Sequence, residues 1–264
     1  MCLGAMVRRV VDMLQHTKWS REQVENLLAT ETFGYQKVAL PYGLSTDGDD
    51  RSATAREIFP DDLTGKTVLD LGCNTGYFCF EAVKRGAARV VGYDHSPAAI
   101  KRARLLADCL GATVEFEVRD LNTFPVVEKF DYILCLNVLH HLDNPLLVIE
   151  QTIAAARERL ALEMAGLGFQ TVRRRLFTAS IAALFMGNAP VIYVGRQPHT
   201  PGRDGIPKVK YFITPRALAN ILLRHSKTFA RVERVKSKHK GRYLILGHKA
   251  LPGLAGLSCR RGGA

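Results

Sequence analysis

From Lys66 onward, short apolar runs rich in β-branched residues recur between longer stretches of helical periodicity. The runs TVLDLG (67–72), ARVVGYD (88–94), TVEFEVRD (113–120), FDYILCLNV (130–138) and RLALEM (159–164) read as strands. Segments near 76–85, 97–110 and 145–157 read as the helices between them. This alternation predicts an α/β fold with a doubly wound, mostly parallel sheet. Upstream, an amphipathic helix is expected from Ser20 to Ala29, because Ser20 can cap it and Gln23 stands three residues on. Pro41, Gly43, Asp47, Gly48, Asp49 and Asp50 then mark an irregular loop.

After Met164 the alternation stops. Residues 165–207 carry Arg173-Arg174-Arg175, an apolar stretch from Thr178 to Gly195 broken by Asn188 and Pro190, and the Gly/Pro-rich RQPHTPGRDGIP. They read as an inserted lid rather than a sheet element. Thr214-Pro215 opens a helix to about His225, with Pro in its first turn. FARVERVKS and GRYLILGHK, joined across Lys238-His239-Lys240, predict a C-terminal antiparallel hairpin. The expected organisation is a helical and loop cap over 1–60, a main domain over 61–250 with the lid at 165–207, and a mobile Gly-rich tail over 251–264.

Composition agrees with a globular chain: 264 residues, 47% hydrophobic and 23% charged, which excludes intrinsic disorder and coiled coil. Cysteines 2, 73, 79, 109, 135 and 259 form no CxxC pair and no zinc-like Cys/His spacing. No metal site is therefore expected. Several of these thiols sit in apolar runs, as reduced buried cysteines of a cytoplasmic protein do. The opening MCLGAMVRRVVDMLQHTKWS lacks a continuous apolar core and a cleavage site, which argues against secretion, and no apolar run reaches membrane-spanning length.

The net charge of +12 is unevenly spread. Residues 1–150 carry 16 Lys/Arg against 21 Asp/Glu, a net of −5, whereas residues 151–264 carry 21 against 4, a net of +17. Such asymmetry points either to an anionic partner of the second half or to a solvated basic face. Between Arg224 and Lys249 stand 9 Lys/Arg and 1 Glu, a pattern that suits a nucleic-acid footprint or a charge-protected strand edge equally well.

The candidate chemistry lies at strand ends. Asp70-Leu71-Gly72-Cys73-Asn74-Thr75-Gly76 places glycines at a strand-to-helix turn, where backbone approaches a ligand closely. Eighteen residues after Gly76 the next strand ends in Asp94, followed by His95. An acid in that place accepts hydrogen bonds from the ribose hydroxyls of a nucleotide-like cofactor. The spacing is not the phosphate-binding GxGxxG. Asp120, with Leu121 beside it, ends the third predicted strand; Asn137 stands near the end of the fourth and His140 just after it.

This D-x-G-x-(G/N)-x-G run resembles the first motif of class I S-adenosylmethionine-dependent methyltransferases, with Asn74 in place of the usual middle glycine. The resemblance covers about residues 66–164 and implies a Rossmann-like sheet with Asp70, Gly72, Cys73, Asn74, Gly76, Asp94, His95, Asp120, Leu121 and Asn137 around the cofactor. It implies Asp70 near the cofactor's amino group, Asp94 on the ribose and Asp120 on the adenine amine. LPYGLSTDG (40–48), FPDDLTGKTVLDLGC (59–73), LNVLHHLDNPL (136–146) and YFITPRALANILL (211–223) further resemble the branch containing the tRNA wobble-uridine 5-oxyacetate methyltransferases. The carboxymethyl-transferring members hold a carboxylated cofactor partly through a Tyr in the fourth motif. His140 occupies the matching position, which favours ordinary S-adenosylmethionine.

The expected activity is transfer of a methyl group to an O or N nucleophile, with S-adenosylhomocysteine as product and no metal. His140 is the candidate catalytic residue, because histidine is the natural base near pH 7. A small or glycosidic acceptor is favoured narrowly over RNA, since residues 165–207 suit a lid and no separate RNA-binding module is recognisable. A tRNA-modifying enzyme is the alternative, and a non-catalytic cofactor-binding module the further one. The stretch 173–194 also suits peripheral contact with a membrane surface.

Overall fold

The computed structural model describes residues 17–165, 189–201, 207–225, 228–237 and 241–249. The expected tail and most of the expected lid, including Arg173–Arg175 and most of the candidate membrane-contact stretch, lie outside these residues. The described strands form a seven-stranded sheet in the order β3-β2-β1-β4-β5-β9-β8 and a separate two-stranded sheet of β6 and β7. In sequence these are Thr67–Leu71 (β1), Arg89–Asp94 (β2), Glu115–Val118 (β3), Phe130–Leu136 (β4), Ala156–Ala165 (β5), Ile192–Pro201 (β6), Pro207–Ile213 (β7), Phe229–Lys236 (β8) and Arg242–Lys249 (β9). The chain divides into two compact units: Met1–Phe124 with Phe130–Leu134, and Pro125–Lys129 with Cys135–Ala264.

In the first unit, helix α1 (Arg21–Thr30) begins with the expected capping box: Ser20 accepts from the Gln23 amide and the Gln23 side chain returns to the Ser20 amide. The short helix α2 spans Ser52–Ile58. Strands β1 and β2 pair parallel, as do β2 and β3. Helices α3 (Tyr77–Lys84) and α4 (Pro97–Leu110) make the crossovers, α4 starting on the Ser96 side-chain cap and Pro97. Fully buried Leu69, Leu71, Phe78, Phe80, Ile100 and Leu106 form the core, each contributing roughly 1.5–3 kcal/mol by its burial. Asp131, at the start of β4, accepts from both the amide and the hydroxyl of Thr67, at 2.8 and 2.9 Å. Those bonds fix where β1 begins.

In the second unit, helix α5 (Pro145–Ala155) runs directly into β5, with Asn144 capping its first turn. The predicted C-terminal hairpin is present: β9 pairs antiparallel with β5 on one side and β8 on the other. Thr214 caps helix α6 (Pro215–Arg224) by accepting from the Ala217 amide. One expectation is corrected here. The described part of the lid region is sheet, because β6 and β7 pair antiparallel from Ile192↔Ile213 to Pro201↔Pro207. The β-rich Ile192-Tyr193-Val194 faces Tyr211-Phe212-Ile213, and an irregularity between Arg196 and Pro201 accommodates the prolines that mask the strand in sequence.

Candidate active site

Two predicted strands are shorter than their apolar runs, and both ends fall at candidate residues. Strand β3 stops at Val118, and Asp120 lies in the turn beyond, its Oδ1 accepting from the Asn122 amide at 2.9 Å. That local bond competes with ladder pairing. Strand β4 stops at Leu136 because Asn137 adopts φ 60°. Tyr42, Asn74 and Asn137 are the non-glycine residues with positive φ among the described residues. Two of the three are sequence-predicted site residues, and asparagine tolerates this conformation best.

The first unit gathers the residues of the glycine turn. Gly72 and Cys73 both donate their amides to the Tyr93 carbonyl, at 2.7 and 2.9 Å, which anchors the turn on β2. The Asp94 carboxylate is fixed from two sides: Oδ2 accepts from the Asn74 amide at 3.0 Å and Oδ1 from the Ser96 amide at 2.9 Å. The Asp94 carbonyl accepts from the Arg119 amide at 2.9 Å, placing the segment before Asp120 beside the end of β2. His95 is exposed, with Nδ1 3.4 Å from Asp94 Oδ1. Leu121 is buried.

Asp70 is enclosed beneath the turn at 2% exposure. Burial, and after it the Asp94 charge, push its carboxyl up to about 7. Cys79 Sγ donates to its Oδ2 at 3.8 Å. Cys73, Cys79, Cys109 and Cys135 are all buried free thiols.

The glycines have two different reasons. Gly72 and Gly76 both have positive φ, 76° and 90°. A Cβ on Gly76 would also lie 2.6 Å from the Phe116 ring, so its bareness serves core packing. Positive φ and core packing both favour glycine at that position. Sequence reasoning also missed Arg51, which is 2% exposed, lies over the Phe78 ring at 5.3 Å, and bears electrostatically on Asp70. No local pattern marks it, because its partners are 19 and 27 residues away.

The second unit holds Asn137 and His140. The Asn137 amide donates to the Glu163 carbonyl at 2.7 Å, tying the end of β4 to β5. His140 belongs to a 3-10 turn, Leu139–His141, and is buried, with its ring centroid 3.9 Å from that of His141. Burial first, then the charges of His141, Lys210 and Arg242, push its imidazole down to about 3. His140 is therefore neutral at physiological pH but far less basic than an ordinary histidine. The expectation of a base matched to pH 7 gives way to a neutral hydrogen-bonding ring. Glu163, which the sequence did not single out, is fully buried and pairs with Arg242 Nη1 at 3.6 Å.

Comparison with known proteins agrees with this architecture. Residues 62–168 match the methyltransferase domain family. The chain is 36% identical over 91 residues to a tRNA U34 carboxymethyltransferase of Campylobacter hominis, covering 34% of this chain and 32% of the relative. The same enzyme of a Sulfurovum species is 31% identical over 90 residues, 34% of this chain and 30% of the relative. The match thus spans about a third of these curated relatives' length. Among solved structures, the N-terminal domain of EvdMO1 with S-adenosylhomocysteine and D-fucose aligns with TM-score 0.61 at 18% identity, covering 89% of this chain and 99% of that one. Magnesium protoporphyrin IX methyltransferase from Synechocystis, with bound S-adenosylhomocysteine, aligns with TM-score 0.52 at 20% identity over 75% of this chain and 80% of that one. At such identities the likeness is one of fold. Residues 62–168 are therefore similar to the methyltransferase domain family, and the chain shares the fold of the solved methyltransferases.

Proposed function

We propose that the chain is an S-adenosylmethionine-dependent methyltransferase acting on an O or N nucleophile of a small or glycosidic acceptor. The observation that carries this reading is the Asp94 carboxylate, held rigidly between the amides of Asn74 and Ser96 at the carboxyl end of β2. A carboxylate fixed there is set to accept both hydroxyls of a ribose diol. The donor set suits the rest of such a cofactor: Asp70 faces its cationic amino-acid end, while Asp120 and Leu121 take the adenine. Gly72, Cys73, Asn74 and Gly76 supply the turn, and Asn137 is proposed as a further cofactor residue. When bound, the sulfonium supplies an already activated methyl group.

The protein's own contribution is then orientation and exclusion of water, and positioning alone can lower a barrier by about 7–11 kcal/mol. His140, neutral and with its buried Nδ1 unpartnered among the described residues, is the proposed catalytic residue. It accepts a hydrogen bond from the nucleophile and aligns it for in-line attack. An imidazole of such low basicity orients the nucleophile rather than keeping its proton, and the proton freed by methyl transfer passes on to solvent. The relatives named for tRNA and the +17 charge of residues 151–264 support an RNA acceptor as the second reading.

The direct test is transfer of labelled methyl from S-adenosylmethionine to fractionated cell extract. Label in a small-molecule fraction is the expected result. Label confined to RNA would replace the acceptor, and no label in any fraction, with no binding of S-adenosylhomocysteine, would overturn the enzyme.

A further inference from the structure

The ribbon of β6 and β7 carries a constellation that cofactor binding does not use. Lys210 stands opposite Gly195, and Phe212 stands opposite Tyr193. Alternate residues of a strand share a face, so Lys210, Phe212, Tyr193 and Gly195 lie on one side of the ribbon. The Tyr193 and Phe212 rings are 6.2 Å apart. A Cβ on Gly195 would sit 3.1 Å from Tyr193 Cε1, so the ring lies along its own strand over the bare glycine. Tyr193 nonetheless remains 47% exposed, leaving a flat aromatic surface open on the face that also carries Lys210.

Lys210 is half-buried and makes no hydrogen bond or ion pair among the described residues. A partly desolvated ammonium without a counter-charge is best completed by an anion. Strand β7 packs against the turn that carries His140, and that turn also packs against β5. The second cation acting on His140, Arg242, already has the Glu163 carboxylate, which in turn accepts from Ser237 Oγ at 3.3 Å. Among the described residues, then, Arg242 has a carboxylate partner and Lys210 has none.

We propose that this face of the ribbon binds the acceptor, and that the acceptor is a small ring-bearing molecule with a carboxylate or phosphate group: its ring lies on Tyr193 and its anion on Lys210. The inference rests on the methyltransferase reading for the word acceptor, but the binding site stands on its own residues.

The experiment titrates the full chain by calorimetry with glucuronate and glucose 6-phosphate, using glucose as the neutral control. Both acids are expected to bind saturably and at least fivefold more tightly than glucose. Lys210→Met should erase that preference, whereas Tyr193→Ala should weaken all three sugars alike. Equal binding of glucose, no saturable binding of either acid, or an unchanged preference in Lys210→Met would overturn the proposal. Preference for one acid over the other assigns the anion as carboxylate or phosphate. Displacement of the acids by tRNA, with tRNA affinity lost in Lys210→Met, would overturn the small acceptor in favour of RNA. Titration of the same protein with S-adenosylhomocysteine is a separate arm: its failure sinks the cofactor reading and leaves the sugar result standing.

Discussion

The carboxylate of Asp94 accepts the amide of Asn74 at 3.0 Å while Asn74 holds φ 51°, so the acid that ends β2 also fixes the turn that follows β1. The two elements meet at one hydrogen bond, and loss of that carboxylate removes a ligand and loosens a loop together. Asp94→Ala should weaken S-adenosylhomocysteine binding by about 1.5–3 kcal/mol, the range for hydrogen bonds to charged groups. Calorimetry at unchanged secondary structure is the check, and wild-type affinity in the variant would remove Asp94 from the site.

Asn74 separates backbone conformation from side-chain chemistry. Asn74→Gly keeps the left-handed conformation open and should leave stability within about 0.5 kcal/mol of the parent. Asn74→Val puts a branched side chain there and should cost about 1–2 kcal/mol. Urea unfolding of the pair measures both. Equal stabilities would mean that the turn relaxes out of its left-handed conformation.

Asp70 and His140 make opposite contributions to acid stability. Burial and the Asp94 charge raise the Asp70 carboxyl from the ordinary 3.8 to about 7. The native state then keeps a proton that the unfolded chain has released, and stability falls as pH rises from about 4 to 7. Burial and neighbouring cations lower His140 from 6.5 to about 3. Here the unfolded chain takes up the proton first, and stability falls as pH drops through that window. The two slopes oppose each other between about pH 4 and 6.5. Relative to the parent, Asp70→Asn should gain stability more steeply with rising pH, and His140→Gln should lose it more steeply. Urea midpoints across this range that move in parallel for all three proteins would contradict both assignments.

The local half of this architecture was legible from residues 66–164, because strand ends, glycine turn and terminal acids obey short-range rules. Ser20 with Gln23, and Thr214 with Pro215, announced their helices through capping chemistry that needs only four residues. What stayed hidden depends on partners distant in sequence. Arg51 reaches the surroundings of Asp70 across 19 positions, and one reason for glycine at 76 is the Phe116 ring 40 residues on. The β6–β7 ribbon was missed because Pro198, Pro201 and Pro207 look like loop punctuation, although they sit near strand ends and beside an irregular register. The weak basicity of His140 was equally invisible, since burial sets it and no motif records burial.

His140 also stands where the carboxymethyl-transferring relatives are expected to carry a tyrosine. A buried neutral imidazole offers a different hydrogen-bonding edge from a phenol and brings no hydroxyl to an extra carboxylate. Ordinary S-adenosylmethionine should therefore bind at least as tightly as its carboxylated form. His140→Tyr should shift the ratio toward the carboxylated cofactor by several-fold. Direct competition measures the ratio, and a clear preference of the parent protein for the carboxylated form would show that other residues hold that group.

The basic half of the chain offers the last discrimination between acceptors. In the hairpin region Lys236, Lys238, Lys240 and Arg242 stand within seven residues, and residues 151–264 carry a net +17. If these charges contact RNA phosphates, binding releases condensed counterions, and the logarithm of affinity falls linearly with the logarithm of salt concentration. Each lost phosphate contact should then flatten that slope by about 0.7–0.9. Arg242 is already engaged with buried Glu163, so its replacement perturbs the fold. The informative variant therefore changes Lys236, Lys238 and Lys240 to Gln and spares Arg242. A small acceptor predicts weak tRNA binding at physiological salt, and methyl transfer to the true acceptor that the triple variant leaves unchanged. An RNA acceptor predicts tight, salt-steep tRNA binding that the triple variant weakens and flattens. The first outcome is expected, because Lys210, which pairs with no acid among the described residues, shares a face with the open Tyr193 ring on a ribbon two strands wide, a surface scaled to a small molecule.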